Sequence, residues 1–410
     1  MKKTLAFVLA AGCVVGSYAT DARVEVMGKH DAFFRDEISV FRNPADMSLY
    51  PNMLYGSYGW VDKDIQSVNN TLTRDNLVLS DPFFGAMISH KLGEEESSPM
   101  FSVGAFMNRR DRMLDLLMTA GRDTVGTSYG SKVIRQNLKE PVGKADLMFG
   151  YDLGNGIALG LGTYIAYQKE KSDDKTIGQT GVYKVTAGIN WNLDQGLDFE
   201  ASFNGGSITG RYMQDGDLVD VADGNYFYRG DVRFFSAVPA IHGAFVPQVS
   251  MEIMKLGNRE IIDVAGGIGL NMNIDRGFFW AGLQGLYNQA NSTESIINDA
   301  KESIGGRVSF GIERNIMWDW FLIRVGGQKE IRYVTEENGK KGEWIETNKK
   351  YDETSGITED GLVGLGFGVN IDNRLRIDFV SSNDIAYTFT NLISGPQLSL
   401  FKRISATYRF

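Results

Sequence analysis

The sequence predicts an all-β fold, a transmembrane antiparallel up-and-down β-barrel of about 16 strands, with 14 as the other even count the pattern allows. Segment after segment alternates apolar with polar or small residues, the period-two signature of a strand with two different faces. Short connections rich in Gly, Asn and Asp alternate with long polar ones, as they do where a barrel wall runs up and down. Past the first twenty residues, no stretch approaches the roughly 18 consecutive apolar residues of a membrane helix. Alternating strands hold mean hydropathy slightly below zero, as here, while still presenting a continuous apolar row. With 48 Gly and only 8 Pro, the composition suits many strands and tight turns. A secreted soluble sandwich or propeller also alternates, but about 390 residues would then form several domains, and neither a linker nor a propeller-period repeat is present.

Residues 1–19 read as a signal peptide. Lys2 and Lys3 form a basic start, Leu5 to Val15 a short apolar run, and Ser17-Tyr18-Ala19 a small-residue cleavage site. Removing the two lysines takes the net charge from −9 to −11. The one cysteine, Cys13, leaves with this segment, so the remaining chain is expected to hold no thiol, disulfide or cysteine metal site. The rival reading is a lipoprotein with Cys13 lipidated after Ala-Ala-Gly, but Ala10 stands where a more hydrophobic residue is usual.

Residues 20–52 show no strand alternation, and Pro44 holds Asn43 extended and stops a regular helix there. Asp36, Ser39, Phe41, Asn43, Pro44, Ala45 and Met47 fall in "DEISVFRNPADM" as an acidic residue, a Ser, an aromatic, Asn-Pro-Ala and an apolar residue. This stretch resembles the N-terminal signature of the FadL family of outer-membrane transporters and of the related PorV-type barrels of a secretion system. The resemblance implies that Asn43, Pro44, Ala45 and Asp46 belong to a luminal plug beneath the first strand. Asp46 stands where the family commonly has a small residue, and the upstream Gly-rich run is mostly missing, which counts against a fatty-acid-type ligand path. The expected organisation is therefore a plug over 20–52 and a barrel over 53–410.

Strands are expected to begin near 53, 82, 100, 142, 157, 182, 196, 226, 243, 261, 277, 304, 319, 361, 374 and 400. The clearest is 261–275, where Ile262, Val264, Ile268, Leu270, Met272 and Ile274 share a face opposite Asp263, Gly267, Gly269, Asn271 and Asn273. A register slip of one residue would exchange those faces completely. Short turns are expected at 153–156, 193–196, 274–277 and 372–374, and long loops at about 62–81, 109–141, 207–225, 289–303, 331–360 and 381–399. If the last strand ends in the periplasm, every short turn is periplasmic and every long loop external. Trp191, Phe278, Phe279, Trp318, Trp320, Phe321 and Phe410 then form an interfacial girdle, with Trp280 pointing inward by parity. Within loop 109–141, Met113, Leu114, Leu117 and Met118 recur at helical spacing and predict a short helix, either packed on the rim or folded into the mouth as a gate.

Parity sends Arg307, Glu313, Arg324, Glu330, Arg374, Arg376, Asp378 and Arg403 to the lumen, together with Asp231, Arg233, Glu252 and Asp263. Facing lipid at mid-depth, Arg or Lys would cost about 2–4 kcal/mol, so alternation that turns these charges inward itself supports a barrel. They form either a neutralising network that fills the lumen or a basic constriction that selects anions. Catalysis is not expected: His30, His90 and His242 fall in separate parts of the topology, and no G-x-S-x-G or HExxH motif occurs. No cofactor or metal is implied, and an acidic chain without a basic patch gives no nucleic-acid partner. The last eight residues, "RISATYRF", alternate to the end, with Ile404, Ala406, Tyr408 and Phe410 toward lipid and Arg403 and Thr407 toward the lumen. This strand is expected to pair with the first and remove the sheet's edges, and Tyr408 and Phe410 resemble the end signal read by the outer-membrane barrel assembly machinery.

The expected location is the outer membrane of a Gram-negative-type cell, in contact with its lipid. The expected function is uptake or passage of a small solute, amphipathic ones included, in the FadL manner. The alternative is a non-transport barrel that anchors surface proteins or serves a secretion system in the PorV manner.

Overall fold

The computed structural model describes residues 21–410 apart from 29, 63–76, 80–81, 96, 121, 127–131, 137, 173–174, 194–195, 215, 258, 293–300, 317, 337–342, 347–348, 353–355, 360–362, 373 and 382–400. Residues 1–19, expected to be a signal peptide, lie outside the described residues, Cys13 among them. Sixteen antiparallel strands close into one barrel. They are β1 (Met53–Asp62), β2 (Phe83–Lys91), β3 (Met100–Met107), β4 (Gly143–Asp152), β5 (Ile157–Ser172), β6 (Lys175–Asn192), β7 (Leu197–Gln214) and β8 (Asp217–Val238). They continue with β9 (Gly243–Leu256), β10 (Arg259–Ile274), β11 (Gly277–Ser292), β12 (Lys301–Asn315), β13 (Phe321–Glu336), β14 (Val363–Ile371), β15 (Leu375–Ser381) and β16 (Phe401–Arg409). Each strand pairs with the next, and β16 returns to β1 from Met53↔Arg409 to Gly59↔Arg403, which leaves the barrel wall no free edge there.

The register keeps the two faces apart. Leu283 lies opposite Ile268 on one side and Val308 on the other, and all three stand more than half exposed on the outside. Leu159, Val185, Val249 and Ile304 continue this exposed apolar surface around the wall. In water so large an apolar surface would be strongly unfavourable, at roughly 25 cal/mol per Å², whereas hydrocarbon leaves it unopposed. The chain is therefore a membrane-spanning barrel, with its buried side chains in the lumen.

One end carries tight connections. Arg276 sits in the left-handed region between Ile274 and Gly277, and Asp372 does so between β14 and β15. Strands at the opposite end run further than the alternation suggested. The segment 207–225, expected as a loop, is paired strand: Ser207 lies opposite Tyr226 and Gly210 opposite Ala222, with register shifts between 208 and 211. Residues 289–292 and 301–303 are likewise paired, as Ala290 with Lys301, and 293–300 lie outside the described residues. β6 and β8 accordingly start at 175 and 217 rather than 182 and 226. Polar side chains flank these extensions because cross-strand hydrogen bonds, not a lipid face, hold them. A further strand, Glu343–Glu346, pairs with β13 and carries the exposed Trp344.

The aromatic girdle needs one correction. Phe278 shares the inward face with Trp280 and is buried in the lumen, because the two differ by one strand period. Trp191, Trp318, Trp320 and Phe410 stand exposed, with Trp318 and Trp320 stacked at 5.3 Å. Tyr408 and Phe410 also stack on the outer side, 6.5 Å apart.

Candidate functional site

The segment before β1 lies inside the barrel. It begins as α1 (Asp21–Val26) and continues through two 3-10 turns, Glu37–Phe41 and Pro44–Leu49. Asn43 explains its own motif: its side-chain Oδ1 accepts the Ala45 N–H at 3.2 Å, capping a turn that Pro44 starts at its first position. Its Nδ2 donates to Asn190 Oδ1 at 2.5 Å, and Asn190 Nδ2 donates to Asp46 Oδ1 at 2.7 Å. The turn presses on the wall where Gly160 and Gly188 leave room; a Cβ on Gly160 would meet Ala45 N at 2.2 Å. Asp46 is wholly buried, and its Oδ2 has no hydrogen-bond partner among the described residues. Burial, then the nearby Glu200 carboxylate, pushes the Asp46 carboxyl up to about 7.

Charges fasten this segment to the wall. Arg23 is fully buried and donates from Nη2 and Nε to the two oxygens of Glu313 at 2.8 and 3.0 Å, and from Nη1 to Asp36 at 3.3 Å. Arg324 joins Glu313 at 2.9 Å and Asp378 at 2.7 Å, and Arg376 joins the same two at 3.3 and 3.1 Å. Three arginines thus face Glu313, Asp378 and Asp36, a buried network from which removing one member costs about 3–5 kcal/mol. Arg307 pairs with Glu330 at 2.6 Å, and Arg403 with Glu25 at 3.1 Å. Glu37 accepts from Thr407 and Arg409 of β16 at 3.0 and 3.1 Å. Arg374 departs from the sequence reading: it is exposed in the turn before β15, where strand alternation has ended and parity no longer sets direction.

α2 (Arg112–Ala120) sits in the opposite mouth. Met113, Leu114, Leu117 and Met118 pack on Tyr164, Ala166, Val182, Ile208, Phe227 and Met254, all inward-facing, so the helix enters the mouth rather than lying on the rim. Asp111 caps it, accepting the Met113 N–H at 3.0 Å and pairing with Lys184 at 2.5 Å. Arg109 links cap and N-terminal segment: it chelates Asp146 at 2.7 and 2.8 Å while its guanidinium lies 4.4 Å from the Phe41 ring centre.

Between the two lies a polar cavity of about 190 Å³. His30 and Arg42 line it from the N-terminal segment and Arg112 from α2, with Arg229, Glu252 and Asp263 among the wall residues. Arg112 bridges Glu252 at 3.0 Å and Asp263 at 3.5 Å, and Arg229 is bidentate to Asp231 at 2.8 Å. His30 touches Ser309 through Nε2 at 2.8 Å, and burial, then Arg307, drives its ring down to about 3, so it stays neutral. His90 is exposed on β2 and His242 occupies a turn, so the three histidines stand on separate elements. Among the cavity's charges, Asp231, Arg233, Glu252 and Asp263 follow from parity. Arg229 was missed although it belongs to the same row, and Arg112 carries no sequence signal because only the docked helix brings it there.

Closure, an apolar exterior and chain segments packed inside the wall define the class: a membrane-spanning β-barrel with its N-terminal segment and α2 in the lumen. No family model and no curated protein matches the chain. Similar solved structures include OmpT, an outer membrane protein of Vibrio cholerae, at 10% identity and TM-score 0.37, covering 88% of this chain and 98% of that one. A mutant of TodX, a monoaromatic hydrocarbon channel, is similar at 11% and 0.34, covering 96% and 99%. BamA from Haemophilus ducreyi lacking POTRA domains 1–3 is similar at 8% and 0.39, covering 87% and 70%. Scores this low carry no argument about function, and the barrel itself rests on strand pairing.

Proposed function

We propose that the chain is a non-catalytic outer-membrane barrel through which a small solute passes, in the FadL manner, with the N-terminal segment as plug and α2 as cap. Closed barrels of this kind are the sheet architecture that spans a bilayer without an edge, and in bacteria they belong to the outer membrane. The observation that carries the reading is the polar cavity left between plug and α2 inside the wall. Its lining charges are paired, which favours a neutralised lumen over a basic anion filter. Passage then requires α2 or the plug to move, so flux should be slow and limited to small solutes. Liposome swelling with the full chain tests this, with uptake of small polar solutes expected over protein-free liposomes. Absence of any uptake, together with co-purification of a surface protein, would turn the assignment to the anchoring or secretion-system reading. That second reading draws on Trp344, exposed on the added strand beside β13.

A further inference from the structure

The outward row of β5 changes character along its length. Leu159, Leu161, Ile165 and Tyr167 are exposed, and the next two positions of that row are Lys169 and Lys171, also exposed. Tyr167 stands ten residues above Ile157. At ~3.3 Å per residue and a tilt near ~40°, that is about 25 Å, the height of a barrel's apolar band. Lys169 and Lys171 stand roughly 5 and 10 Å higher, level with lipid headgroups rather than acyl chains. The two lysines therefore continue a surface that the fold already commits to lipid.

Register builds a site around them. Gln179 of β6 lies opposite Lys169 on one side and Arg211 of β7 on the other, so three polar side chains cross the wall in one line. Asp220 answers Arg211 at 2.7 Å, and Glu170, on the other face of β5, is taken by Lys139. No carboxylate pairs with Lys169 or Lys171 among the described residues, so they are the excess charge of this sector. Immediately below, Gly181 lies opposite Tyr167, and the Tyr167 and Tyr183 rings, 6.1 Å apart, fold over it. A Cβ on Gly181 would meet those rings at 3.3 and 3.4 Å. The missing side chain thus gives a broad aromatic shelf under the cations. Elsewhere at this end the outward rows finish on acids, Glu260 on β10 and Glu302 on β12, so the basic patch is confined to one sector.

We infer that this sector binds a phosphorylated saccharolipid of the outer leaflet, its phosphate on Lys169 and Lys171, its sugar ring on the Tyr167–Tyr183 shelf and its acyl chains along Leu161, Ile165 and Val185. Phosphate takes charge-assisted hydrogen bonds from the two ammonium groups. The C–H face of a sugar ring packs on tyrosine rings, and a glycerol headgroup has no such flat face. The inference rests on the outer-membrane reading, which turns this end of the barrel outward, and not on passage. The competing account is that the two lysines reach past the lipid only to meet water.

Native mass spectrometry of the detergent-solubilised full chain separates the two, with lipid A, its dephosphorylated form and phosphatidylglycerol as probes. Lipid A should bind tightest. Lys169→Gln combined with Lys171→Gln should weaken it about thirtyfold, at roughly fivefold per lysine beside an anionic headgroup. Lys255→Gln, on the outward row of β9 opposite Glu260, should change nothing. Tyr167→Leu should weaken lipid A and leave phosphatidylglycerol unchanged. All four positions are exposed, and heat-dependent gel mobility establishes that each variant is folded. Equal binding of lipid A and its dephosphorylated form, wild-type affinity in the double lysine variant, or phosphatidylglycerol bound as tightly as lipid A would overturn the inference. In intact cells, Ser172→Cys, at the end of β5, should react with a membrane-impermeant maleimide. Reaction only after lysis would sink both the inference and the outward orientation. Liposome swelling bears on passage alone, so either reading can fail without the other.

Discussion

At the scale of a residue, Asp46 joins plug and pH. Its carboxyl is buried, one oxygen is held by Asn190 and the other has no partner among the described residues, and its folded value near 7 lies well above the ordinary 3.8. A raised carboxylate means that the seated plug holds a proton the released plug would lose. The neutral form's contribution is complete below the ordinary value and is lost as pH rises through about 7. Tryptic cleavage at Arg35 and Arg42, corrected for trypsin's own pH profile, should therefore be faster at about pH 8 than at about pH 5. Asp46→Asn mimics the neutral form and should lower the ratio of those two rates, while burial of the Asp36 and Glu37 carboxyls, also pushed up, keeps part of it. If wild type and variant show the same ratio of cleavage rates, Asp46 does not govern seating.

Among elements, the plug's seat is built from missing side chains. Phe33 lies against Gly269 of β10 and Gly282 of β11, where a Cβ would come within 2.3 and 2.1 Å of its ring. Asn271 holds the same turn by donating to the Phe33 carbonyl at 2.8 Å. Gly282→Leu should displace Phe33 at a cost of about 1–3 kcal/mol, the usual range for overpacking. Gly285, whose added Cβ would meet only a backbone oxygen at 3.8 Å, supplies the control. In planar bilayers Gly282→Leu should raise conductance and Gly285→Leu should not; equal conductance would remove Phe33 from the closing contact. The strands behind this seat were legible because lipid outside and side chains inside impose strict alternation, as in β10 and β12. The upper parts of β7 and β8 were not, since register shifts around Gly210 break the period and the Asp, Gly and Asn residues of 215–225 read as a loop. Phe278 was misread because an aromatic at a strand end suits either a girdle or a plug contact, and only Phe34 and Arg23 decide between them. The chamber was least legible, for it needs six strands, a helix and the plug in place together.

For the whole molecule, what remains is whether the apolar exterior meets hydrocarbon. Leu283 is 54% exposed midway along β11, and its neighbours across both ladders, Ile268 and Val308, are equally bare. On a soluble protein, changing one such surface residue to arginine alters stability by less than about 0.5 kcal/mol. At the middle of a bilayer the same change costs about 2–4 kcal/mol, and near an interface about 0–1. Trp318, exposed and stacked on Trp320 in the connection between β12 and β13, marks the interfacial end. Leu283→Arg should therefore destabilise the barrel by about 2–4 kcal/mol in denaturant unfolding from lipid vesicles, and Trp318→Arg by far less. The contrast controls for arginine itself, since both positions are exposed and neither touches the plug. If Leu283→Arg costs no more than Trp318→Arg, the outer row is not in hydrocarbon, and the wall would have to be covered by protein instead.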